Sequence, residues 1–131
     1  MSTPAMSDAK THYLAGLKHF GANRFEEAIA EYRQALAAKP DWAELYNAIA
    51  TAESKLGRLD EAVATIHKAI ELDPNDAFFF TSLSIFLQRQ GKVPEAEAAG
   101  AKARMISWKE ELKKNPNAPP PGPAGGMNVV Q

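Results

Sequence analysis

The chain has no cysteine among its 131 residues. Disulfides, thiolate metal sites and a cysteine nucleophile are therefore excluded. It also lacks any apolar run near the roughly 18–20 residues that a membrane span needs. Its start, MSTPAMSDAK, has neither the basic residues nor the apolar stretch of a signal peptide. A soluble, cytoplasmic protein with no membrane partner is the expectation. An excess of one charge is missing too. Fifteen basic residues against sixteen acidic ones leave a formal net charge of −1, which gives no general attraction to nucleic acid or anionic lipid. Proline and glycine are sparse until residue 115, and then concentrate in NPNAPPPGPAGGMNVVQ. Such a tail, 115–131, forms no packed element; it reads as extended polyproline II, then a flexible link and a short apolar end.

Signatures of catalysis are lacking as well. There is no phosphate-binding glycine loop, HExxH pair or nucleophile elbow. The acidic pairs Glu26-Glu27 and Asp60-Glu61 fall at helix starts, where the helix dipole favours negative charge, and Glu110-Glu111 lies on the last helix. His12 and His19 are seven apart on one helix, which separates their backbones by ~10 Å; metal-binding pairs on a helix sit three or four apart. Both read as packed residues, and His67 as a surface residue. No catalytic residue, metal or cofactor is expected.

What the chain does have is a period of 34. Phe25 becomes Leu59 and then Val93; Glu27-Ala28 becomes Glu61-Ala62 and then Glu95-Ala96; Ala35 becomes Ala69 and then Ala103. Each period holds two amphipathic helical patterns. The first helix is expected from the Ser7-Asp8 cap to about Phe20, after a loose arm of residues 1–6. The turn Gly21-Ala22-Asn23 leads to a second helix from Phe25 to Lys39, stopped by Pro40. Asp41-Trp42-Ala43-Glu44 reads as a capping box that opens a helix to about Lys55. The next helix spans roughly Leu59 to Leu72, and Asp73-Pro74-Asn75-Asp76 ends it and caps a fifth, from Asp76 to Gln90. Gly91 stops that helix, and Pro94 sits in the first turn of a sixth.

The third copy has Trp108 where the others have Pro40 and Pro74. Either the last helix continues to about Lys114, with Met105, Trp108 and Leu112 as an apolar stripe over the exposed end, or a separate helix starts at the capping box Ser107-Trp108-Lys109-Glu110. Lys102, Arg104, Lys109, Lys113 and Lys114 read as a solvated basic face rather than a nucleic-acid surface. Small residues recur on both helices of each pair: Gly16, Ala50 and Ser84 on the first, Ala28, Ala62 and Ala96 on the second. They let the helices cross closely, with His12, Tyr46 and Phe80 supplying bulk nearby.

A helix-turn-helix period of 34 with small residues at these offsets resembles the tetratricopeptide repeat family over roughly residues 7–108. The chain departs from the family at His19, Glu53, Gly100 and Trp108. The resemblance implies an all-α solenoid, a right-handed superhelix of three repeats (about 9–42, 43–76 and 77–110) within a domain of residues 7–114. It implies a concave groove lined by first helices. Carried over by position, the groove residues are Lys10, Tyr13, Leu14, Leu17 and Phe20; Glu44, Asn47, Ala48, Thr51 and Lys55; and Phe78, Ser82, Ile85 and Arg89. A subclass of the family grips chaperone C-termini with Lys, Asn, Asn, Lys and Arg. Here those places read Tyr13, Leu17, Ala48, Phe78 and Ser82, so that clamp is absent. The expected function is a non-catalytic scaffold that binds a partner peptide or helix. The alternative is a self-assembling structural protein that uses its repeat ends and tail, with Met127-Asn128-Val129-Val130-Gln131 docking in its own groove or a neighbour's.

Overall fold

The computed structural model describes the backbone of residues 4–122 and the side chains of residues 8–122. Among the described residues, six helices make up an all-α helical repeat: α1 (Pro4–Gly21), α2 (Phe25–Ala38), α3 (Ala43–Lys55), α4 (Leu59–Leu72), α5 (Ala77–Arg89) and α6 (Val93–Lys114). No strand occurs among the described residues. The chain divides into two compact units, Met1–Asp73 and Pro74–Gln131. In the first, α1 packs on α2, α2 on α3 and α3 on α4; in the second, α5 packs on α6.

Each helix pair turns in the same way. Asn23, Gly57 and Gly91, spaced by 34, have φ of 63°, 82° and 82°. That left-handed geometry ends a helix with two reversed hydrogen bonds. The amide of Arg24 donates to the His19 carbonyl, Arg58 to Glu53 and Lys92 to Leu87, each at 2.9 Å. The shorter bonds run from Asn23 to Phe20, Gly57 to Ser54 and Gly91 to Gln88, at 2.9–3.0 Å. Glycine adopts this backbone without strain, and asparagine is among the few other residues that tolerate it.

The connectors that follow α2 and α4 also match. Lys39 and Asp73 leave the helix with φ of −143° and −144°, and a proline follows each. The continuous-helix reading of the last repeat is the observed one: α6 has 22 residues where α4 has 14, and it passes through Ser107 unbroken. Its stop is displaced rather than lost. Asn115 leaves α6 with φ −137°, and Pro116 follows. The tail is therefore not extended from its first residue. Ala118 N–H donates to the Asn115 carbonyl at 2.9 Å and Asn117 N–H to Asn115 Oδ1 at 3.1 Å. Trp108 Nε1–H then donates to the Ala118 carbonyl at 3.1 Å, and Ala118 is buried. An indole on α6 can hold this turn because the chain reverses there; sequence spacing alone does not show a reversal. Residues 123–131, and with them the expectation for Met127–Gln131, lie outside the described residues.

Two helix starts differ from expectation. α1 begins at Pro4, so Ser7 and Asp8 lie within it instead of capping it. Trp42, not Asp41, is the N-cap of α3, and no side chain caps that end. The capping-box groups are engaged elsewhere: Asp41 accepts from Lys39 Nζ and Glu44 from the Trp42 indole, both at 3.2 Å. The cap at Asp76 forms as expected, its carboxylate accepting from Phe78 N–H at 2.9 Å.

The core of the first unit is built from Ala9, Ala28, Ile29, Tyr32, Ala35, Leu45, Ile49 and Ala52, all buried. A buried Ile or Leu contributes roughly 1.5–3 kcal/mol. At Gly16 the backbone of α1 is closely approached, since a Cβ there would lie 2.4 Å from the Tyr32 ring. One period later the pair is Ala50 and Ile66, both fully buried; two periods later it is Ser84 and Gly100, where Ser84 Oγ–H donates to the Ala96 carbonyl at 2.7 Å. The smaller the first-helix residue, the larger its counterpart in the first two repeats. Gly16→Ala is expected to cost about 1–3 kcal/mol by overpacking. Adding Tyr32→Ile, which copies the Ala50–Ile66 pair, is expected to recover part of that loss. Urea melts of the single and double variants measure both.

Candidate partner-binding faces

The positions carried over from the resemblance all fall on first helices, and the structure sorts them by what each side chain touches. On α1, Tyr13 lies 5.0 Å from the Trp42 ring and 6.1 Å from Tyr32 between centroids, and Phe20 meets Phe25 edge-on at 5.1 Å. These two rings are half-buried parts of the interior. Leu14 and Leu17 stand out instead, 54% and 42% exposed, and Lys10 is exposed beside them. The reason is angular. At 100° per residue, Ala9, Tyr13, Gly16 and Phe20 form one stripe toward the core, and Lys10, Leu14 and Leu17 form its neighbour. His12 lies on the opposite flank, where Nδ1–H donates to Glu31 Oε1 on α2 at 2.7 Å.

On α3 the equivalent positions are smaller and more polar. Thr51 Oγ1–H donates to the Asn47 carbonyl at 2.9 Å, Ala48 is half-buried, and Lys55 is exposed at the helix end. Glu44 holds the Trp42 indole. In the second unit, Phe78 is 76% and Ile85 52% exposed on α5, with Ser82 half-buried between them and Arg89 exposed. The family-clamp places hold no charged side chain.

The histidines sit where packing and polarity both bear on them. His12 is half-exposed in its bond to Glu31, and His19 Nδ1 accepts from Arg24 Nε–H at 3.2 Å. His67 is exposed. Among the described residues no three metal-ligating side chains come together, and no helix is long and apolar enough to cross a membrane.

One polar group was not foreseen. Glu53 is 5% exposed, and its Oε1 is buried with no hydrogen-bond partner. Its other oxygen faces Arg33 Nη2 at 3.8 Å from a largely exposed guanidinium. Burial pushes the Glu53 carboxyl up from its ordinary range; Thr65 opposes this by hydrogen bonding, Glu61 adds to it, and Arg33 and Arg58 oppose it. The register contained the clue, since the same position in the third repeat is the buried Leu87. Burial likewise pushes the Tyr32 hydroxyl up to about 12, with Tyr13 adding to it. Arg58, just after the turn, pairs with Glu26 of the preceding repeat.

Two models of the tetratricopeptide repeat match, over residues 19–79 and 68–98. Among solved structures, MamA superposes with a TM-score of 0.76 at 22% identity, covering 81% of this chain and 62% of MamA. The second tetratricopeptide domain of Spaghetti (RPAP3) gives 0.74 at 24% identity, covering 79% of this chain and 96% of that one. The translocator chaperone SycD of Yersinia enterocolitica gives 0.75 at 16% identity, covering 82% and 83%. No curated protein matches.

The buried carboxylate makes stability depend on pH in a definite direction. A carboxyl whose folded pKa is raised binds its proton more tightly when folded, so stability is highest below the ordinary glutamate range and falls as pH rises through the raised value. Glu53→Leu is expected to remove that component and to raise stability at pH 7 by about 1 kcal/mol or more, since an unsatisfied buried group is deleted. Thermal melts of both proteins from pH 4 to pH 8 show whether the curves converge at the acid end.

Proposed function

Since the chain belongs to the tetratricopeptide repeat family, whose models together reach from residue 19 to residue 98, we propose that it is a non-catalytic scaffold binding a partner protein through its first helices. The observation that carries this is the placement of exposed apolar side chains. Leu17 on α1 and Ile85 on α5 occupy the same position two periods apart, and both are exposed. Leu14 and Phe78 accompany them on those helices. Exposed apolar side chains on one helix, Leu14 with Leu17 on α1 and Phe78 with Ile85 on α5, favour a protein surface as their counterpart. The Spaghetti domain is bound to an HSP90 peptide, SRMEEVD, which supports a peptide or helix as the class of partner. The charged clamp is not carried over, because Tyr13, Leu17, Ala48, Phe78 and Ser82 occupy its places.

Leu17→Glu combined with Ile85→Lys tests this. Both side chains are exposed, so the helical circular dichroism is expected to stay unchanged. Affinity capture from lysate of the native source, read by mass spectrometry, is expected to lose the protein that the wild type holds. Capture of the same proteins by the folded variant would count against the first-helix faces.

Self-assembly is the second reading. It is favoured by exposed apolar residues away from the first helices: Leu72 on α4, with Val93 and Met105 on α6. The SycD structure is itself described as a dimer. Light scattering over a concentration series decides it. A mass that rises with concentration supports assembly; a monomer throughout, unaltered by deleting residues 116–131, removes it.

A further inference from the structure

We propose that the Leu14–Leu17 face of α1 takes an acidic, amphipathic segment of the partner, with apolar side chains on the two leucines and carboxylates beside Lys10 and Lys18. This deepens the partner-binding reading and rests on it.

The argument is one of unbalanced charge around an apolar patch. Lys10 lies on the same stripe of α1 as the leucines, one turn before Leu14, and Lys18 borders that stripe; both are exposed. Several acids of the first unit that come near in sequence are directed elsewhere, and Glu27 stands exposed in the first turn of α2. Asp8 falls on the flank of α1 that holds His12, and Glu31 is bound to His12. Glu26 pairs with Arg58 and Asp41 with Lys39. Glu44, at the repeat position that Lys10 holds on α1, accepts from the Trp42 indole. No ion pair among the described residues involves Lys10 or Lys18. A neutral apolar segment would satisfy the leucines but leave these cations without a counterpart. A basic one would meet like charge, which is unfavourable at a docking rim.

The site differs from a clamp on a terminal carboxylate. It asks for side-chain carboxylates flanking apolar residues at helical spacing, so the segment need not be a C-terminus. Two leucines three residues apart match apolar anchors spaced by three or four on a facing helix.

The test uses the full chain and three fluorescent synthetic peptides of equal length, each C-terminally amidated to remove the terminal charge. All carry the same leucines at three- and four-residue spacing; the flanking positions are Glu in one, Gln in the second and Lys in the third. Fluorescence anisotropy is expected to show the Glu peptide binding about tenfold more tightly than the Gln peptide, with the Lys peptide weakest. Added salt should narrow the gap, as it does for exposed charges. Lys10→Glu with Lys18→Glu is expected to invert the order of the Glu and Lys peptides without changing the circular dichroism. Equal binding of the Glu and Gln peptides, or no binding of the Glu peptide, overturns the proposal. If both bind equally and Leu17→Glu abolishes both, the apolar face still binds a partner and only the acidic preference falls. If Leu17→Glu leaves the Glu peptide bound, the leucine face is not its site.

Discussion

Gly16 lets the Tyr32 ring lie against the backbone of α1, and the first unit depends on that approach. Tyr32 is fully buried, and its ring occupies space that a side chain at residue 16 would enter. With Tyr32 so placed, Tyr13 reaches both it and Trp42, and this brings the connector before α3 into the same cluster. The second repeat fills the equivalent space with Ala50 and Ile66. The third does it with Ser84 and Gly100, where a hydroxyl-to-carbonyl bond takes the place of apolar bulk. One helix-pair geometry thus tolerates three compositions, because the paired residues change together.

The same register governs how helices end. A left-handed residue closes every first helix, and an extended residue followed by proline closes every second one. After α6 that second stop comes late. The added turns carry Trp108 to where its indole can hold the returning chain at Ala118. The last repeat therefore ends with a connector of the same kind as the others, and Pro119, Pro120 and Pro121 follow it.

Much of this was legible beforehand. The 34-residue period, the positions of the turns and the stops at Pro40 and Pro74 follow from local backbone preference. The Asp76 cap was legible for the same reason. The box at Asp41 was not: Lys39 and Trp42 compete for its two carboxylates, and that competition depends on where the indole packs. The candidate face was legible only as a set of positions. Tyr13, Phe20, Leu14 and Leu17 looked alike as apolar residues of one helix, yet two are held in the interior and two are exposed. Glu53 looked like a departure from family pattern, and its cost appears only once its oxygen is seen to be enclosed.

By itself the sequence determined that six helices form, where each starts and stops to within a few residues, and that they repeat. Those features depend on neighbours a few residues away: a φ that glycine permits, an amide that proline lacks, a period of 3.6. Tertiary structure decided which flank of α1 stays exposed, which carboxylate is buried and which carbonyl receives the Trp108 indole. Each of those depends on a partner brought close by packing, as His12 is to Glu31 across 19 residues, and no local preference specifies it.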